Sequence, residues 1–242
     1  MSGILARLRH FFGDELLVRV GRHLEPTAFA TEIAGPVHAC VQQVEELLDS
    51  KRPFIPETDA RAFRIAASDY AVLLMLGPLV RRLTEHAPNL SVRFVALDPD
   101  AGDRLAAGET DFSVLPAEFE PNLPSVPLFE DSWTCVVWSG NPLVGDRLTM
   151  EEFLTLPHMT FNIADPGHGS VADEYLARNG YERKIVASTE SFTTAPFALH
   201  GTSLLTMVPR RLGERLREAA DIKLLDLPFD LPPLCEKLAW NP

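Results

Sequence analysis

The chain has 242 residues, 46% of them hydrophobic and 23% charged, with 14 glycines and 20 prolines. That composition belongs to a soluble globular protein and excludes a disordered chain, a collagen-like repeat and a coiled-coil rod; the length can bury a core in one large domain or two smaller ones. The 34 acidic residues against 22 Lys plus Arg leave a net charge of -12, which argues against indiscriminate binding to nucleic acid or anionic membrane and leaves room for a small basic patch.

Cys40, Cys135 and Cys235 are odd in number, far apart, and form no Cys-x-x-Cys pair. This usage fits a reducing cytosol, hence a cytoplasmic protein, better than a disulfide framework. No apolar run has the length of a membrane span. The N-terminus lacks an apolar stretch followed by a small-residue cleavage site, so no signal peptide is expected.

Residues 1–23 carry Arg7, Arg9, Arg19 and Arg22 against Asp14 and Glu15, a local excess of +2 that leaves -14 on the rest. Ile4, Leu5, Leu8, Phe11 and Phe12 recur at helical spacing, predicting a helix over 2–12 that Gly13-Asp14 breaks. Apolar runs on both sides of Val20-Gly21 predict a short hairpin, with Gly21 free to take the positive φ of a tight turn. A basic helix followed by a hairpin outlines a winged helix-turn-helix; spacing alone equally allows an amphipathic chain end with solvated arginines.

Residues 28–50 predict one helix. Ile33, Val37, Cys40, Val44 and Leu47 alternate at spacings of four and three, the pattern of a coiled-coil seam. Pro36 is awkward there, since an interior proline costs about 3 kcal/mol. A helix packed on its own domain is the alternative. Residues 51–61, with Pro53 and Pro56 and no period, predict a hinge.

From residue 62 onward strand and helix alternate. Strand runs begin at Phe63, Leu90, Asp111, Ser125 and Trp133, with helices over Tyr70–His86 and near Gly102–Ala107. The pattern restarts with helices at Met150, Val171, Thr193 and Arg211 between strands at Met159, Lys184, Leu204 and Ile222, and Leu234–Trp240 can return to the first half. The expectation is an α/β fold with mostly parallel sheets in two lobes: lobe I about 62–138 and 233–242, lobe II about 139–232. Ligands in such folds sit at strand ends between lobes.

The stretch Leu5-Ala-Arg-Leu-Arg-His-Phe-Phe-Gly-Asp-Glu-Leu-Leu-Val-Arg-Val-Gly-Arg-His-Leu-Glu-Pro-Thr27 resembles the end of the DNA-binding domain of LysR-type transcriptional regulators. It matches a recognition helix ending in L-x-x-L-R-x-x-F/L-G and a wing of the form L-F/L-x-R-x-G-R/x-x-L-x-P-T. The similarity continues along nearly the whole chain, towards the branch of nodulation-gene activators and aromatic-catabolism regulators. It implies a partial winged helix-turn-helix over 1–27, a dimerising linker helix over 28–50, a hinge over 51–61, and a periplasmic-binding-protein-like effector domain over 62–242. In the family two helices precede the recognition helix, and this chain begins inside or at that helix. The resemblance therefore implies an N-terminally truncated regulator, a homodimer or homotetramer, whose intact form binds DNA. Ser2, Arg7 and Arg9 would read DNA from the helix, Arg19 and Arg22 from the wing.

Ser68 and Asp69 stand where the first strand of the effector region gives way to its long helix, as helix cap, effector contact or both. Ser191 and Thr193 open a helix in the second half and offer hydroxyls across a cleft. Asn162 follows another strand. These five are the candidate effector residues for a small aromatic or phenolic molecule, since Asp69 already supplies negative charge at the helix start. Asp165–Ser170 reads as a turn before a helix capped by Ser170. Gly-x-Ser-x-Gly, a phosphate-binding glycine loop and His-Glu-x-x-His are absent, and the histidines show no metal spacing, though His158, His168 and His200 could converge. The expectation is a non-enzyme with no catalytic residue, metal or cofactor and no membrane partner; the alternative is a ligand-binding module without DNA function.

Overall fold

The structure, a computed structural model, describes residues 2–20, 23–49, 53–119, 122–162 and 169–242. They fall into two compact units, Met1–Ile55 and Pro56–Pro242.

In the first unit, helix α1 spans Ser2–Phe12. It stops at Gly13, whose φ of 63° a side chain would disfavour. Strands β1 (Leu17–Val20) and β2 (His23–Pro26) pair antiparallel with Val20 opposite His23. Their connection, Gly21-Arg22, lies outside the described residues, so the expected turn glycine and Arg22 receive no structural account. The Asp14 carboxylate accepts from the Leu16 amide at 2.6 Å and the Thr27 hydroxyl at 2.7 Å. Thr27 Oγ1 in turn accepts from the Ala30 amide at 3.0 Å, capping helix α2 (Ala28–Asp49). One aspartate thus links the end of α1 to the start of α2.

Helix α2 continues through Pro36. On its expected seam Ile33 is half-buried, Cys40 is exposed, and Val37 and Val44 are 47% and 55% exposed; the Leu47 side chain lies outside the description. Val41, 48% exposed, adjoins them.

The second unit contains two five-stranded sheets. The first has the order β4-β3-β5-β12-β6, built from β3 (Ala62–Ala67), β4 (Ser91–Ala96), β5 (Phe112–Pro116), β6 (Ser125–Asp131) and β12 (Leu234–Trp240). The second has the order β11-β7-β10-β8-β9, built from β7 (Trp133–Trp138), β8 (Pro157–Phe161), β9 (Lys184–Thr189), β10 (Leu205–Pro209) and β11 (Ile222–Leu225). Helix α3 (Asp69–His86) covers the first sheet through Ala71, Val72, Met75 and Leu79, which pack with Ile65, Ala67 and Val114. Helix α4 (Ala101–Ala106) buries Ala101 and Leu105. The second sheet forms the larger core, around Val136, Val137, Phe153, Leu176, Leu199, Leu205 and Leu212. Helices α5 (Met150–Thr155) and α6 (Val171–Arg178) both begin with capping boxes, Thr149 with Glu152 and Ser170 with Asp173. The last two helices are α7 (Ala195–Ala198) and α8 (Arg210–Leu216).

Two expectations are corrected. Trp133–Trp138 does not belong to lobe I: it lies in the second sheet, antiparallel to both β10 and β11. The chain crosses between sheets at Ser132, and burial of Trp133–Val137 in the second core fixes the assignment. Nor are the sheets mostly parallel. Strands β3, β4 and β5, and β8, β9 and β10, pair in parallel, while β7 and β12 run antiparallel to both neighbours. These two strands receive the chain just after it crosses from the other sheet, so they enter from the opposite end. No helix among the described residues is long and apolar enough to cross a membrane.

The exposed stripe on α2 should associate copies of the chain, because an uncovered line of valines invites burial. Sedimentation at micromolar concentration should give a dimer or larger species, and the double substitution Val37→Glu, Val44→Glu should shift it towards monomer. A monomeric wild type would contradict this role for α2.

Candidate functional site

The end of β3 and the turn after β9 belong to different sheets, and they meet through Asp69. Ser68 adopts an extended backbone and its Oγ accepts from the Ala71 amide at 3.2 Å, which makes it the N-cap of α3. Asp69, the next residue, turns its carboxylate to the second sheet. Oδ2 accepts from Ser191 Oγ at 2.6 Å, the Thr193 amide at 2.8 Å and Thr193 Oγ1 at 2.5 Å. Oδ1 accepts from the Phe192 amide at 3.1 Å and the Tyr70 amide at 3.0 Å. Hydrogen bonds to an ionised group contribute about 1.5–3 kcal/mol each in favourable cases, less where partly solvated. The helix expected from Thr193 starts only at Ala195, because residues 191–194 form the turn that grips Asp69.

Tyr70 follows Asp69 and is fully buried in the second sheet's core. Its ring meets Phe129 and Phe192 edge-on at 6.0 and 6.5 Å, and Phe192 stacks on Phe161 at 3.7 Å. The phenol donates to Asp131 Oδ2 at 2.5 Å. Asp131 also accepts from the Ser132 amide at 2.8 Å and the Arg211 amide at 3.1 Å. Burial, then the bond to Asp131 and that carboxylate's charge, hold the Tyr70 phenol far above its ordinary range. Consecutive residues of α3 therefore make two attachments to the second lobe, one through hydrogen bonds to a carboxylate and one aromatic.

Beside Ser68, at the same edge of the first sheet, a cavity of about 470 Å³ opens. Strands β3 and β4 are parallel with Ala67 opposite Ala96, so the C-terminal ends of β3, β4 and β5 share this edge. The cavity is lined by Leu97, Asp98, Ala101, Leu115, Phe119, Asn122 and Leu123, with Gly169 contributed by the second lobe. Its ionisable lining groups are carboxylates, Asp98 and Asp103. Asp98 is partly neutralised by Arg104, 2.6 Å away. Gly169 forms an isolated bridge with Asn162. A Cβ on Gly169 would lie 2.8 Å from that of Asp173, so a side chain here would displace the cap of α6. Asn162 Oδ1 is buried with no hydrogen-bond partner among the described residues.

Of the five candidate effector residues, Asp69, Ser191 and Thr193 are thus bonded to one another, Ser68 caps the adjoining helix turn, and Asn162 stands apart beside Gly169. The cavity-lining residues Leu97, Leu115, Phe119 and Leu123 are not among the sequence candidates. The signal was available: Leu97 and Leu115 stand at the carboxyl ends of the next two strands, where ligands of such sheets bind.

Other candidates separate. His158 is buried, and its Nε2 donates to the Phe153 carbonyl at 2.6 Å. His200 sits by Trp138 and Asp221, and His168 lies outside the described residues. No group of three or more His, Cys, Asp or Glu is placed to hold a metal among the described residues. The three cysteines are free; burial drives the Cys135 thiol up to about 12, far from a reactive thiolate. In the N-terminal unit Arg7 and Arg19 are exposed, and the Ser2 side chain lies outside the description. Arg9 donates to the carbonyls of Glu15 at 2.7 Å and Leu17 at 3.1 Å, fastening the hairpin to α1.

Two sheets joined by crossings at Ser132 and before Leu234, with a cavity at the strand ends of the first, have the two-lobed form of a periplasmic-binding-protein-like domain. A family model, the LysR substrate binding domain, matches residues 56–242. The chain belongs to the LysR family of transcription regulators, and this region is its effector-binding domain. Nodulation protein D 1 of Rhizobium leguminosarum bv. phaseoli is 30% identical over 241 residues, covering 99% of this chain and 77% of that protein. A probable transcriptional regulator of Pseudomonas aeruginosa, PA0477, is 31% identical with a TM-score of 0.83, covering 99% of this chain and 80% of that one. The regulatory domain of MexT, a transcriptional activator of the same organism, is 26% identical with a TM-score of 0.64, covering 76% and 90%. These relatives are regulators rather than enzymes.

Two buried titrating groups set opposite pH limits on this domain. Glu236 on β12 is 3% exposed with Oε2 unpartnered among the described residues. Burial, then the charge of Glu118, pushes its carboxyl from 4.5 up to about 7. A raised carboxyl favours the folded state when protonated, so its contribution is complete below about 4.5 and lost as the pH rises through about 7. Burial pushes His158 from 6.5 down to about 4, so its contribution is complete above about 6.5 and lost as the pH falls through about 4. In urea unfolding, Glu236→Gln should therefore gain on wild type by about 1 kcal/mol or more as the pH rises from 5 to 8. An unchanged difference across that range would contradict the buried-carboxyl assignment.

Proposed function

We propose that the effector-binding domain senses a small, uncharged aromatic or phenolic molecule in the cavity at the strand ends, as part of a cytoplasmic regulator that binds DNA in its intact form. The observation that carries this is the cavity itself. Its volume lies in the range of small-molecule sites, its walls are largely apolar, and its ionisable lining groups are carboxylates. An aromatic acid would meet those carboxylates; a phenol would meet apolar walls, the Asn122 amide and hydroxyl-accepting oxygens.

In this reading Asn162, held to Gly169 at the rim, supplies a polar contact from the second lobe, and the group Ser68, Asp69, Ser191 and Thr193 sets how the lobes meet beside the ligand. DNA would be approached by α1 and the hairpin, with Arg7 and Arg19 presented to phosphates or bases. The exposed valines of α2 support a homo-oligomer, a homodimer or homotetramer.

A ligand that binds the folded domain raises its melting temperature by mass action, by roughly 2.7 kcal/mol of added stability at a hundredfold excess over Kd. A thermal-shift screen should find hits among neutral phenols and flavonoid-like compounds and none among small aromatic acids. A hit should lose its shift in Leu123→Glu, which places charge in the cavity wall. Hits confined to aromatic acids, or hits indifferent to Leu123→Glu, would overturn the assignment.

A further inference from the structure

The turn Ser191–Thr194 has the make-up of an anion site. Two hydroxyls, on Ser191 and Thr193, and two backbone amides, of Phe192 and Thr193, converge within 3.1 Å of one carboxylate. That carboxylate arrives from another sheet, 122 to 124 residues earlier in the chain. Four donors from three consecutive residues on one carboxylate group make a receptor for a carboxylate, not a general polar contact. Ser191 and Thr193 are half-buried rather than sealed, so water and small solutes can reach the edge of the turn.

We infer that Ser191–Thr193 is a carboxylate-binding site kept filled by the protein's own Asp69. A ligand carboxylate entering here would have to displace Asp69 and would then face it as a like charge.

The test replaces the internal carboxylate with a free one. Ser68 still caps α3 when Asp69 is removed, since its bond is to the Ala71 amide, so Asp69→Ala should fold. It should melt below wild type in sodium chloride. Sodium acetate at equal ionic strength should raise its melting temperature saturably and recover a large part of the loss, while acetamide should not. The rescue should vanish when Ser191→Ala and Thr193→Val are added. Wild type should show no saturable acetate effect. Asp69→Asn, which keeps the volume filled and sets an NH2 against the donors, should melt below wild type and resist acetate. A folded Asp69→Ala that ignores acetate overturns the proposal.

Should Asp69→Ala not fold, the amide resonances of Phe192 and Thr193 in the wild-type chain decide the matter. They should be unmoved by acetate, and a saturable shift would mean that Asp69 does not hold the turn. Failure of acetate rescue leaves the cavity untouched. Failure of the phenol screen leaves the turn's occupancy untouched.

Discussion

Asp69 is the point on which the effector-binding domain depends. Its carboxylate, at the first residue of α3 in one lobe, takes four hydrogen bonds from residues 191–193 of the other. The next side chain, Tyr70, enters the second lobe's core and donates to Asp131. Asp131 receives the Arg211 amide at the start of α8, so its charge also stabilises that helix end. Of two adjacent residues, Asp69 thus fixes α3 to the 191–193 turn of the other lobe, while Tyr70 enters that lobe's core and bonds to Asp131 at the end of β6, where the chain crosses between sheets.

The rest of the domain is arranged around that constraint. Strands β7 and β12 carry the chain across and run antiparallel to both neighbours, while β3, β4 and β5, and β8, β9 and β10, pair in parallel. This puts the carboxyl ends of β3, β4 and β5 on one edge, with Ser68, Leu97 and Leu115 side by side. Glu236, on the returning strand β12, is buried in the first lobe and lowers stability as it ionises. The domain therefore holds one carboxyl bonded to four donors from the opposite lobe and another, Glu236, with an unpartnered oxygen among the described residues.

Much of this architecture is legible in the sequence. The period-3.6 run after Tyr70, the capping residues Ser68 and Ser170, and the restart of strand and helix after Trp138 are local signals, and local hydrogen bonding makes them reliable. The sheet that takes Trp133–Trp138 is not legible, because a largely apolar strand fits either core; only its pairing with β10 and β11 decides. Ser68 and Asp69 could be singled out together, yet their roles diverge for tertiary reasons. Ser68 acts within its own turn, whereas Asp69 finds partners more than 120 residues away. Arg9 shows the same limit in the other unit: its charge suggests DNA, and its geometry binds it to the carbonyls of Glu15 and Leu17. No spacing rule reports a partner that folding brings from afar.

A double-mutant cycle on Asp69→Ala and Thr193→Val, read by urea unfolding, measures this interlobe contact directly. The two substitutions should be strongly non-additive, with a coupling of about 1–3 kcal/mol, in the range that contacting residues show. Additivity within about 0.3–0.5 kcal/mol, as expected of distant sites, would contradict the account that Asp69 holds the lobes together.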